Sequence, residues 1–283
     1  MKSFKETSAK ILFICAACIS ILAVALICVF LFANGVPGMA KIGVWDFLSG
    51  TRWKPGNNIY GILPMIIGSI YVTAGALIIG VPAGLMSAIF MSRFASRRMV
   101  KLMRPAVSLL AGIPSVVYGF FGLVVIVPMV RNNFGGSGMS LLSACLLLGM
   151  MILPTIISVS ESALNAVPSS YYEGALALGA THERAVFRVI LPAAKSGVMA
   201  AVILGVGRAI GEAMAVMMVA GNRPVIPDDL TDGLRTLTSN IVMEMGYAAD
   251  LHREALIATA VVLFVFILII NLLFSIIKRK AKI

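Results

Sequence analysis

The sequence predicts an all-α, polytopic membrane protein: a transmembrane helical bundle of six spans with both termini cytoplasmic. Three observations predict it. Hydrophobic residues make up 60% of the 283-residue chain and charged residues only 12%, against ~45–50% and ~25% in soluble globular proteins. The mean hydropathy is +1.00, and a soluble globule this poor in charge could not cover its surface. The apolar residues also fall into six stretches, each near the ~20 residues that a helix needs to cross a bilayer.

In chain order the stretches are Ile11–Ala33, a segment within Ile59–Met91, Val107–Val130, Met139–Val159, Gly197–Gly221 and Ala255–Ile277. The first is longer than the ~7–15 residues of a signal-peptide core and reads as a retained anchor. Ile59–Met91 would measure ~50 Å as one helix. Pro64 and Pro82 are therefore expected to break or kink it, leaving one crossing with an interfacial lead-in. Residues 1–58 form an N-terminal anchor helix with its outer loop, and residues 59–283 form the main transmembrane domain.

Orientation follows from charge. With the N-terminus inside, fifteen Lys and Arg face the cytoplasm: Lys2, Lys5 and Lys10, five within Arg93–Arg104, three within Arg184–Lys195, then Lys278, Arg279, Lys280 and Lys282. Seven lie in the outer loops. This is the positive-inside bias, and it accounts for the net charge of +11 without a nucleic-acid partner. The charge pattern is that of a multi-pass membrane protein with both termini on the cytoplasmic side.

Residues that could do chemistry are few. His182 and His252 fall on opposite sides of the membrane in this topology, which excludes a dyad or metal site joining them. Cys15 and Cys18 match C-x-x-C, but they lie in an apolar span with no charge nearby to activate a thiol. Gly135-Gly-Ser-Gly138 reads as a flexible turn. Gly205-Val-Gly-Arg-Ala-Ile-Gly211 has one residue too many for a dinucleotide fingerprint, and no Walker A sequence is present. An intramembrane enzyme is therefore disfavoured, and this chain is expected to bind no cofactor or metal.

Two features stand above this background. The first is the cytoplasmic loop 168–192, which reads as two short helices. Pro168 sets the start, Ser170 and Glu173 have the spacing of a capping box, Gly179 ends the first helix, and Pro192 lies at the end of the second. The second is the pair Arg208 and Glu212 inside the fifth span. A charge at that depth costs ~2.5–3.5 kcal/mol on insertion scales and rarely faces lipid. At i, i+4 the two would share one helix face and pair, with Gly207 and Gly211 allowing close approach of a helix or substrate. In the outer loop Asn222–Glu254, Leu234, Leu237, Ile241 and Met245 recur at near-helical spacing and predict a short helix. It would either pack on the spans or bind a partner.

The cytoplasmic loop resembles the EAA loop of ABC importer permeases, whose pattern is E-A-A-x-x-x-G followed, nine positions on, by I-x-L-P. Glu173, Ala175, Gly179, Leu191 and Pro192 match, while Gly174 replaces an alanine and Val189 an isoleucine. Gly207-Arg-Ala-Ile-Gly-Glu-Ala-Met-Ala-Val216, Gly112-Ile-Pro-Ser-Val-Val-Tyr-Gly-Phe-Phe-Gly122 and Leu251-His-Arg-Glu-Ala-Leu256 narrow the resemblance to phosphate-specific permeases of the PstC type. The resemblance implies the type I importer permease fold and import of phosphate, with molybdate or sulfate as the alternative oxyanion. A channel would not need an ATPase-docking loop. The resemblance also implies a heterodimer with a sister permease of the PstA type, an ATP-binding subunit dimer of the PstB type that carries ATP and Mg, and a phosphate-binding protein of the PstS type. On the same ground, Arg208 and Glu212 would line the substrate pathway, and the loop carrying Glu173, Gly174, Ala175, Gly179, Leu191 and Pro192 would couple to the ATPase.

Overall fold

The protein is described by a computed structural model covering the backbone of residues 2–280 and the side chains of residues 9–276. Lys2, Lys5, Lys278, Arg279, Lys280 and Lys282, counted above on the inner side, lie outside the described side chains.

The chain opens with α1 (Lys2–Ile42) and a short α2 (Val44–Ser49). An antiparallel hairpin follows, β1 (Trp53–Lys54) and β2 (Ile59–Tyr60), closed by a turn over Pro55–Asn57. This hairpin is the lead-in to the second crossing, α3 (Leu63–Ile89). Pro64 sits in the first turn of α3, where its missing N–H is not needed. Of the two outcomes expected at Pro82, a break does not occur: the helix runs on to a wider single turn, Phe90–Phe94. Ser96 then caps α4 (Arg97–Gly112), accepting from the Met99 N–H at 3.3 Å.

The third crossing begins later than hydropathy suggested. Val107–Gly112 belongs to α4, and the span is Ser115–Phe134, built from α5 (Ser115–Phe121), a wide turn and α6 (Val127–Phe134). The local signal is Pro114, which disfavours the helical region for the residue before it. Ile113 is extended, at φ −68° and ψ 127°. The fourth crossing, α7 (Leu141–Asn165), starts from a Ser140 cap.

After the cytoplasmic loop, α11 (Lys195–Gly211) and α12 (Met214–Val219) form the fifth crossing, and α13 (Leu237–Glu244) lies in the outer loop. The last crossing is α14 (Asp250–Lys280). Among the described residues five helices are long and apolar enough to cross a membrane. A sixth joins them if the segment His182–Ala193, which meets α11 at 69°, is counted with α11 as one bent span.

The central contact is α3 against α7. Gly80 and Gly84 let the helices close up: a Cβ at Gly80 would lie 2.7 Å from Ile152, and one at Gly84 2.8 Å from Ile156. Such notches replace the hydrophobic effect, which does little between helices in lipid. Leu147, Leu148, Met151, Ile152 and Ile156 of α7 are fully buried along this seam. An outer cluster gathers Phe47, Trp53, Tyr60 and Met65 under Leu237 and Leu256. An inner one joins Ile89 and Leu164 to Val186, Ile190 and Val198. Half of the outer-loop stripe packs on the spans, while Ile241 and Met245 stay partly exposed. Leu234 and Leu237 are completely buried, and the Leu237 N–H donates to Ser69 of α3 at 3.0 Å.

Candidate functional site: the interrupted fifth span and the cytoplasmic loop

The fifth span stops in mid-course. Glu212 is extended, at φ −74° and ψ 123°, and the chain resumes as helix at Met214. Arg208 therefore occupies the last turn of α11, while Glu212 lies beyond its end. Their expected pairing on one helix face does not form. The Glu212 carboxylate instead accepts from the Ala215 N–H at 3.1 Å, satisfying one of the donors that a helix start leaves free. Arg208 reaches across to α7, donating from Nη1 to the Thr155 hydroxyl at 3.3 Å.

Around the break the chain supplies hydroxyls. The Glu212 carbonyl accepts from Thr238 Oγ1 at 2.9 Å. Ser69, Thr73, Thr236, Thr238 and Glu212 together line a cavity of about 10 Å³, space for roughly one water. Thr236 caps α13 through a reciprocal box with Ser239. Arg208 and Glu212 are each partly exposed. Beside them, a Cβ at Gly207 or Gly211 would meet nothing within 4 Å. The face of α11 that carries Gly207 and Gly211 is thus left uncovered by this chain.

The sequence reading missed the hydroxyl residues. The T-x-x-S spacing of Thr236 and Ser239 was the available signal for α13. It also missed a polar network at the outer end. Glu244, 7% exposed, binds Arg235 Nη1 at 2.6 Å through one oxygen and His252 Nε2 at 2.8 Å through the other. The Trp53 indole N–H donates to that second oxygen at 2.9 Å. Glu244 and His252 of this network line an outer recess of about 590 Å³. Burial raises the pKa of Tyr60 on its rim. Burial and then the Glu244 charge raise that of Tyr247. Both phenols remain neutral donors near pH 7.

On the inner side, α8 (Ser169–Ala177) has Pro168 at its cap position, so Ser170 falls inside the helix and cannot cap it. The expected Ser170–Glu173 capping box is absent, and Glu173 and Gly174 are exposed. Gly179 does end the helix, at φ +83°, a left-handed geometry that glycine adopts freely. Thr181 then caps α9 (His182–Ala185), followed by a wide turn over Val186–Ile190 and α10 (Leu191–Ala193). Leu191 is half-buried, Pro192 is exposed and Ala175 is buried. Leu178 at the tip is 91% exposed. The Tyr172 hydroxyl and His182 Nδ1 lie 2.7 Å apart. The Phe94 ring meets the His182 ring edge-on at 4.7 Å, tying the loop to the inner end of the second crossing.

Residues 80–283 match the family described as binding-protein-dependent transport system inner membrane component. The probable ABC transporter permease protein YqgH of Bacillus subtilis (strain 168) is 40% identical, with 99% of this chain and 93% of that protein covered. The phosphate transport system permease protein PstC of Mesorhizobium japonicum is 34% identical over 83% of this chain and 78% of its own length. Among solved structures, a bacterial ABC transporter involved in import of the acidic polysaccharide alginate superposes with a TM-score of 0.66 at 14% identity, covering 94% of this chain and 95% of that one. The MetNI methionine ABC transporter superposes at 0.58 and 21% identity, covering 78% and 94%. These structural likenesses establish the fold, a multi-pass transmembrane helical bundle. The chain belongs to the family of inner membrane components of binding-protein-dependent transport systems.

Proposed function

We propose that the chain is a permease subunit of an ATP-driven importer and that its cargo is inorganic phosphate. The observation that carries this reading is the partly exposed Arg208 beside Gly207 and Gly211, on a helix face the chain leaves open. A guanidinium offers two parallel N–H donors to a tetrahedral oxyanion, and in a dry path that grip is far stronger than in water. Its single, long bond to Thr155 leaves most of its donors available. Glu212 keeps the grip from becoming a trap, because an anion must also leave. Hydrogen phosphate also carries a proton that a carboxylate can accept in a hydrogen bond, whereas sulfate carries none at neutral pH. The relatives named PstC support phosphate as the anion.

On the same reading the open face of α11 meets a sister permease across the path, a substrate-binding protein delivers the anion from outside, and two ATP-binding subunits carrying ATP and Mg receive the cytoplasmic loop. Glu173, Gly174 and Leu178 are among the exposed groups of that loop, while Ala175, Gly179, Leu191 and Pro192 set its shape. The test is uptake by the reconstituted complex with labelled phosphate, challenged by excess molybdate or sulfate. Phosphate uptake that needs the binding protein and ATP, and that resists both competitors, is the expected result. Uptake of molybdate or sulfate in preference overturns the choice of cargo.

A further inference from the structure

We propose that α4 is a membrane-surface helix whose Arg97, Arg98 and Lys101 bind the phosphate groups of anionic phospholipids in the inner leaflet. At 100° per residue, Arg97, Arg98, Lys101 and Arg104 fall within one sector of roughly 120°. From Met91 to Gly112 the chain holds five basic residues and no Asp or Glu, and of that sector only Arg104 finds a carboxylate among the described residues, Glu161 of α7. The adjoining face is apolar and uncovered: Leu102 is 76% exposed and Leu109 74%, with Met99 beside them at 46%. Only Val100, Met103 and Val107, spaced along a third side, are partly buried, and no residue of α4 is fully buried.

A helix with one uncovered basic face and one uncovered apolar face has both satisfied at once by the bilayer boundary, acyl chains on one side and headgroups on the other. Its place agrees. Arg104 pairs with Glu161 near the inner end of α7, Arg93 donates to the Leu164 carbonyl and Ser92 to Asn165. These contacts put the start of α4 at the level where α7 leaves the membrane. Anionic headgroups supply the complementary charge, and each neighbouring Lys or Arg strengthens the attraction by about five-fold.

The test uses the purified full chain in detergent, titrated with phosphatidylglycerol or phosphatidylcholine and read by native mass spectrometry. The readout is lipid retention, so it is independent of which anion is transported. The wild-type chain should retain phosphatidylglycerol preferentially. The triple variant Arg97→Gln, Arg98→Gln, Lys101→Gln should lose that preference by about a hundred-fold, keep its phosphatidylcholine binding and regain the preference when Lys replaces both arginines. Raising salt should weaken the wild-type preference too, which needs no variant to fold. Undiminished phosphatidylglycerol retention by the triple variant overturns the proposal. So does loss of ATP-binding-subunit capture with lipid retention intact, which would assign the face to a protein partner.

Discussion

The Thr238 hydroxyl donates to the backbone carbonyl of Glu212 at 2.9 Å, so a side chain of the outer loop satisfies an acceptor that the interrupted fifth span leaves free. The Glu212 carboxylate does the matching task for a donor, the Ala215 N–H. Glu212→Gln keeps an oxygen for that N–H, whereas Glu212→Ala removes it. Alanine should lower stability by about 1 kcal/mol, the usual worth of a helix-start acceptor, and glutamine by much less. Thermal unfolding of the two variants checks this, and equal melting temperatures would show that the contact contributes nothing. If the carboxylate charge also serves transport, Glu212→Gln should alter uptake while leaving the melt unchanged.

Arg208 is held by one 3.3 Å bond to Thr155 and by no ion pair among the described residues. Arg208→Gln should abolish phosphate uptake with the complex still assembled. Arg208→Lys keeps the charge but loses the bidentate fork and should fall between the two. A charge-swapped Arg208→Glu, Glu212→Arg pair should not restore uptake; restoration would make the two a structural pair.

At the outer end, Glu244 is 7% and Arg235 11% exposed. Glu244→Ala leaves Arg235 buried without its carboxylate and frees the Trp53 and His252 donors as well. Such a loss costs about 3–5 kcal/mol. Lys41 and Glu254 also pair, at 2.7 Å, but with 58% and 32% exposure, and Lys41→Ala should cost under about 1 kcal/mol. Denaturation of both variants in one detergent tests the contrast.

Gly179 has φ +83° and open space around it, so a substitution there is strained by backbone geometry and not by crowding. Gly179→Val should misdirect Thr181 and the α9 start, uncoupling ATP hydrolysis from uptake while membrane insertion stays normal. Asparagine, which tolerates the left-handed region better, should retain more coupling. Equal uptake by the valine variant and the wild type would remove the turn from the coupling path.

Long apolar runs make α1, α3, α7 and α14 legible in the sequence, because an unbroken apolar stretch of ~20 residues or more is what a bilayer crossing requires. The same averaging hides the breaks. Gly112-Ile-Pro114 carries a local stop signal, but the apolar residues on either side merge α4 with the third span. Gly211-Glu212 is hidden likewise, and hydropathy implies an unbroken helix where the chain unwinds. The i, i+4 spacing that brings Arg208 beside Glu212 holds only along an unbroken helix. The Glu244 network is not legible at all. Trp53 and Glu244 are 191 positions apart, and no local pattern says which carboxylate will turn inward. The loop 168–192 is legible in outline, since Gly179 and the Pro positions are local signals, but Pro168 takes the cap position expected of Ser170.

The first and last helices meet at their outer ends. Gly35 and Gly38 of α1 sit against Val261 and Glu254 of α14, where an added Cβ would lie 2.7 Å from either. Lys41 locks onto Glu254 across 213 positions of sequence. The ribosome adds ~5–20 residues per second, so α1 must wait roughly 10–40 s in the bilayer before its partner exists. Through that interval the face of α1 that carries Gly35 and Gly38 lacks the helix it later meets. The anchor therefore has to be stable alone, and the bundle is sealed last by its two ends. Deleting α14 should leave an inserted α1 that stays protease-accessible at Lys41 throughout synthesis.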